Sequence, residues 1–128
     1  MQIEVLAVDG DYIIFRSAAG DGVGYYQYSY SEVAAGKEYD VEVDVDFDLE
    51  LGDKISQSAD KSTFIKLDND INIINCFVES IDGEDDSACL RIAADFVMIV
   101  YNNDPKIKQG DYLEIRVGKE ELGITIVG

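Results

Sequence analysis

The chain has 128 residues, with 27 Asp and Glu against 10 Lys and Arg, for a net charge of -17. It has no histidine, which excludes Ser-His-Asp and Cys-His nucleophile systems and the HExxH zinc site. The charge balance disfavours direct nucleic-acid binding, which needs Lys or Arg to displace counterions from phosphates, and docking on an anionic membrane surface.

Hydrophobic residues make up 47% of the chain, with eight Tyr and five Phe. Disordered acidic tails lack such residues, so a folded domain is expected, single over 1–128. A chain of this size buries roughly two thirds of its unfolded surface, enough to fold with no cofactor, metal or disulfide. The start, MQIEVLAVDG, has no basic stretch followed by an apolar run. No apolar run approaches the roughly 18 residues of a membrane span. A cytoplasmic protein is expected.

Strand patterns dominate in chain order. Gln2–Val8 and Asp11–Arg16 flank Asp9-Gly10, a hairpin signal between apolar runs. Val23–Tyr30 follows a glycine-rich turn, 19–22, and Glu38–Leu51 alternates without a break. Residues 52–62, poor in large apolar side chains, read as a connection between structural halves 1–55 and 63–128. Ile71–Ile81 and Ala88–Ala94 flank an acidic turn, Asp82–Asp86, expected as an exposed hairpin tip and a second contact point. Phe96–Tyr101, Tyr112–Val117 and Leu122–Val127 complete the set. Single helical turns are expected at Ser31–Ala35 and Asp104–Gln109, from a Ser N-cap and a first-turn Pro105. The fold class is therefore all-β, an antiparallel sandwich or two partly open barrel-like halves, with nine or ten strands.

Three short likenesses recur in order. Residues 5–10 resemble 78–83, 36–39 resemble 110–112, and 50–52 resemble 121–123. They suggest an internal duplication, each half running strand, turn, strand, strand, short helical turn, strand, strand; chance among β patterns is the alternative. Cys76 and Cys89 sit in apolar runs and are expected as buried reduced thiols, a disulfide being the other possibility.

Tyr39–Leu51, YDVEVDVDFDLEL, puts Asp40, Glu42, Asp44, Asp46, Asp48 and Glu50 on one parity and apolar residues on the other. In a continuous strand these six carboxylates project from one face at about 6.8 Å intervals. Each neighbouring pair repels by roughly 0.6 kcal/mol in water, a cost set against stabilities of about 5–15 kcal/mol. Three readings are open: a solvated outer face whose charges block edge aggregation, a docking surface for a basic protein, or a metal site. The last suits an extended ladder poorly, because calcium needs oxygens wrapped around it. In Gly24–Tyr30, Tyr26, Tyr28 and Tyr30 share one strand face. They either cover a small core or, beside the ladder, supply rigid contact area for an Arg-rich partner.

Asp68, Asp70, Asn72 and Glu79 match some EF-hand positions, but Ile73 stands where the loop needs Gly. No phosphate-binding glycine motif occurs, and no feature singles out a catalytic carboxylate pair. No enzymatic activity is expected.

The runs GKEYDVEVDVDFDLELGDKI, CFVESIDGEDDSACLRIAADFVMIVY and GDYLEIRVGKEELGITI resemble small acidic immunity proteins of bacterial polymorphic and contact-dependent toxin systems. The resemblance lies in size, acidity and β pattern. It implies a protein that neutralises a basic, nuclease-like toxin domain, and it carries over no site residues; a monomer is expected, or a homodimer paired through a long exposed edge strand. Physical chemistry agrees with such a role: an acidic surface is steered to a basic cleft, with association toward 10⁸–10⁹ M⁻¹s⁻¹ at low salt. The partner-binding candidates are Asp40, Glu42, Asp44, Asp46, Asp48, Glu50, Tyr26, Tyr28 and Tyr30. The alternatives are an acidic nucleic-acid mimic, an accessory β-domain whose acidity only keeps it soluble, and an OB-like oligonucleotide binder.

Overall fold

A computed structural model describes residues 1–28 and 32–127, with only the main chain of residues 27 and 28. Eleven strands form: β1 (Gln2–Asp9), β2 (Tyr12–Ser17), β3 (Gly20–Tyr28), β4 (Glu38–Val45), β5 (Ile55–Gln57), β6 (Phe64–Asp68), β7 (Ile71–Asp82), β8 (Ser87–Ala93), β9 (Phe96–Tyr101), β10 (Tyr112–Gly118) and β11 (Leu122–Ile126). β1, β2, β3, β11 and β4 close a five-stranded barrel, antiparallel except where β11 runs parallel to β3. The second sheet is open, ordered β5-β10-β7-β8-β9, with β6 sharing an edge of β7. The fold is all-β, as the sequence leads one to expect, and no helix occurs among the described residues.

Both units feed one apolar core. Ile3, Val5, Ile13, Phe15, Leu122 and Ile124 of the barrel are continuous with Ile74, Cys76, Leu90, Met98, Leu113 and Ile115 of the open sheet. Cys76 is buried and Cys89 half-buried, and they do not pair.

The strands do not divide at the expected boundary. The last strand, β11, belongs to the barrel, pairing with β4 from Leu122↔Val45 to Ile126↔Val41. β5 belongs to the other sheet, pairing with β10 at Ile115↔Ile55. The two units otherwise repeat each other bond for bond. Val5 N–H donates to Lys37 O, and Gly36 N–H to Val5 O; Val78 N–H donates to Asp111 O, and Gly110 N–H to Val78 O. Tyr26 N–H donates to Asp11 O, as Asn102 N–H does to Asp86 O. A bulge follows Val5 in β1 and Val78 in β7. The units are thus a structural repeat that has exchanged its final strands. The repeat is incomplete: where β11 closes the barrel against β3, the open sheet has a single parallel bridge, Leu49↔Asn102.

Several local expectations shift. The glycine-rich segment 20–22 lies inside β3 and not in a turn. A Cβ on Gly20, at φ 132°, would sit 1.9 Å from Ile65 O, and one on Gly22 would meet the Phe15 ring at 2.6 Å. These glycines admit close packing, which local turn preferences cannot reveal. Asp68–Asp70 is part of the tight β6–β7 hairpin, with Asn69 at φ 56°. Residues 104–107 form a turn closed by Ile107 N–H to Asp104 O, not a helix. Ser31, the expected cap of the other helical turn, lies outside the described residues, and residues 32–35 form no helix.

Asn72 joins the units. It is fully buried; its Oδ1 accepts from Val23 N–H at 2.7 Å, and its Nδ2 donates to Val23 O at 2.7 Å and Val117 O at 3.0 Å. One side-chain amide thus serves β3 as a neighbouring strand's peptide would. Asn72→Ala orphans the buried Val23 N–H, and chemical denaturation should show a loss of at least about 1–3 kcal/mol. A loss below 0.5 kcal/mol would mean that water replaces the amide.

Candidate functional site

The acidic run keeps its alternation but not its strand. β4 ends at Val45, opposite Leu122 at the start of β11, and a single further bond follows, Asp46 N–H to Glu121 O at 3.1 Å. The chain then crosses to the open sheet, where Leu49 N–H donates to Tyr101 O at 2.7 Å and Asn103 N–H to Leu49 O at 3.1 Å. Leu49 is fully buried, whereas Asp40, Glu42, Asp44, Asp46, Asp48 and Glu50 are all exposed. Three carboxylates therefore project from β4 and three from the crossing segment, so the expected straight ladder over Tyr39–Leu51 is broken after Val45.

The cations lie elsewhere. Among the described residues, Lys and Arg pair with Asp21, Glu121, Glu79, Glu114 and Asp70. Asp40 instead lies 3.1 Å from the Met1 amino group, and Asp48 accepts from Asn103 Nδ2 at 2.8 Å. Glu42, Asp46, Asp48 and Glu50 form no ion pair with a described Lys or Arg.

The tyrosines separate from this surface. β11 lies between β3 and β4. Tyr26 shares its parity with Gly22 and Gly24, which face Phe15 and Ile124 inside the barrel, and it packs against the core. Tyr28 is opposite Thr125 in the main chain, its side chain lying outside the described residues, as does all of Tyr30. The outward parity carries Tyr25, paired across β2 with Tyr12. The Lys119 ammonium stands 4.6 Å from the Tyr12 ring centroid. Tyr25, Gly123 and Asp44 form one cross-strand row.

β9 supplies what the acidic run lacks. Its outward residues Val97, Ile99 and Tyr101 are 39%, 66% and 65% exposed, three of the six exposed large hydrophobics among the described residues. A cleft of about 690 Å³ lies between β9 and the crossing segment, lined by Val45, Asp46, Phe47, Asp48, Asp85, Ser87, Ile99, Val100 and Tyr101. A second hollow, about 410 Å³, runs on from Ile99 toward Met1, Glu42, Asp44 and Val97. Together they form a groove lined by both apolar side chains and carboxylates, with no Lys or Arg in its lining. Asp85 belongs to the acidic turn. Phe47, Ile99 and Tyr101 are not among the sequence candidates; the signal for Ile99 and Tyr101 is FVMIVY, apolar at both parities, which leaves one apolar face without a stated cover.

The crossing segment is anchored. Asp104 accepts from Leu51 N–H and Lys106 N–H, each at 2.9 Å. These backbone bonds hold its carboxyl below the usual range. Burial pushes the Cys76 thiol up to about 12, which leaves it unreactive at neutral pH. Among the described residues no group of three His, Cys, Asp or Glu side chains is placed to hold a metal ion. The chain matches no protein-family description, no curated protein and no solved structure.

A lowered carboxyl value stabilises the fold above its unfolded value, near pH 4, and the contribution disappears as pH falls through the lower folded value. The stability gap between the protein and Asp104→Ala should therefore be constant above about pH 5 and close below about pH 4. Paired denaturation curves from pH 7 to 2.5 measure it; a gap unchanged at the acid end would assign it to packing.

Proposed function

We propose that this protein binds and neutralises a basic protein, in the manner of an immunity protein acting on a bacterial toxin domain, and that it acts by occupancy and not by catalysis. One observation carries the reading: exposed carboxylates and apolar side chains line one groove whose lining holds no Lys or Arg. Solubility alone accounts for scattered acids. It does not account for acids gathered beside exposed Ile99 and Tyr101.

The structural repeat provides an internal comparison. β10 occupies in the open sheet the place of β4 in the barrel. At the positions of Asp40, Glu42 and Asp44 it carries Glu114, Arg116 and Gly118. Glu114 and Arg116 pair with each other at 3.6 Å. The strand role is thus filled without an unbroken acidic face, so the acids of β4 answer to something other than the fold. Charge of one sign around a cleft speeds encounter with an opposite partner, and the desolvated apolar centre supplies residence time.

Affinity capture from source cells, eluted by a salt gradient, should retain one basic protein in equimolar amount. Against that protein, Asp44→Ser with Asp46→Ser should slow association about tenfold at low salt, with the difference shrinking toward 0.5 M salt. Many unrelated basic proteins leaving early in the gradient would overturn the reading in favour of a nucleic-acid mimic. Unchanged rates in the double variant would remove the acidic run from the interface.

A further inference from the structure

One wall of the groove is a strand edge, that of β9. Just past β9, Asn102 N–H bonds Asp86 O on the β8 side, and Tyr101 O faces the other way, to Leu49 N–H. Main-chain groups alternate sides along a strand, so the N–H and C=O of Ile99 also point away from β8. β9 is the last strand of its sheet, and Ile99 has no main-chain partner on that side among the described residues. In the structural repeat Ile99 stands where Val23 stands in β3. The outward N–H and C=O of Val23 are both taken by the Asn72 amide. The same main-chain position is therefore filled in one half and open to the groove in the other.

The neighbouring cleft has a definite chemistry. Phe47, Ile99 and Tyr101 offer apolar and aromatic surface, and Asp46, Asp48 and Asp85 offer carboxylates. Its roughly 690 Å³ exceeds the volume of one long side chain and includes room for solvent. A guanidinium suits such a lining better than an ammonium: it stacks on aromatic faces, forks onto carboxylates and is more weakly hydrated.

We propose that this groove receives an extended, arginine-bearing segment of the basic partner, its arginine in the cleft and a peptide group on the outward N–H and C=O of Ile99. The inference rests on the binding role proposed above and locates its centre at β9 and the crossing segment, away from the strand β4. Charge complementarity selects this guest over a second copy of the chain. Two copies joined edge to edge through β9 would bring six carboxylates together, three from each, in a protein already at -17.

The test is amide-resolved NMR titration of the whole protein with a capped Thr-Val-Arg-Val-Thr peptide and its citrulline counterpart, which keeps the shape and loses the charge. The arginine peptide should saturate, with the largest shifts at residues 45–48, 85–87 and 97–101. The citrulline peptide should bind at least tenfold more weakly. Ile99→Ser and Asp46→Asn with Asp48→Asn, all at exposed or groove-facing positions, should each weaken the arginine peptide at least fivefold while thermal unfolding confirms the fold. Equal binding of both peptides, shifts centred outside residues 41–48, 85–87 and 95–101, or a β9-paired dimer in sedimentation would each overturn the proposal. If the peptide result is negative while the captured basic protein still binds with its salt dependence, the groove assignment falls and the binding role stands. If neither binds, both fall.

Discussion

Pairing of the last strand with β4 is the constraint on which the rest depends. β11 joins β4 to β3 and so closes the barrel. Without it, β4 would meet β1 only at residues 38–40, and its acidic face would have no fixed direction. The reciprocal placement of β5 beside β10 ties the second sheet to the chain that leaves β4. Neither unit completes itself from its own continuous segment. Such non-local pairings carry a large loop-closure cost and place the protein among slow folders.

The exchange also shapes the surface. β4 stops at Val45 opposite Leu122, Asp46 N–H makes one more bond to Glu121 O, and the residues beyond cross to β9. That crossing turns Asp46 and Asp48 away from the row of Asp40, Glu42 and Asp44 and sets them at the cleft. Buried Leu49 and the Asp104 carboxylate then fix the segment from both sides. One alternating sequence thus carries acids on a strand and acids on a crossing, because its ladder pairing ends midway.

How much of this was legible follows from which forces are local. The hairpins at Gly10 and at 82–86, and the strands Phe96–Tyr101 and Tyr112–Gly118, were readable within a residue or so, since alternation and turn chemistry are local. The likenesses 5–10 to 78–83 and 36–39 to 110–112 correspond to matching bonds at Val5 and Val78. β5 and β6 were missed because they are short, and β6 is ordered by Ile65 N–H to Ala19 O and by its place on β7. The segment 20–22 read as a turn because close approach of Ile65 and Phe15 is invisible in the local sequence. Among the site residues, exposure of all six acids followed from parity alone. The break after Val45, the inward face of Tyr26 and the importance of β9 did not, since each depends on which strand lies alongside.

An apolar edge such as β9 is ordinarily a hazard, because exposed strand edges recruit other strands. Here Ile99 and Tyr101 stand beside Asp46, Asp48 and Asp85, which repel any other copy of an equally acidic chain. The same carboxylates attract a cation. In the binding role proposed above, charge and apolar area would act in sequence: the rim would admit a basic surface and neutralise on contact, and only then would closing water out of the groove become favourable. That order would make an exposed hydrophobic strand selective. Removing the rim would free β9 to meet its own kind, and removing the floor would leave an ion exchanger with fast arrival and fast departure.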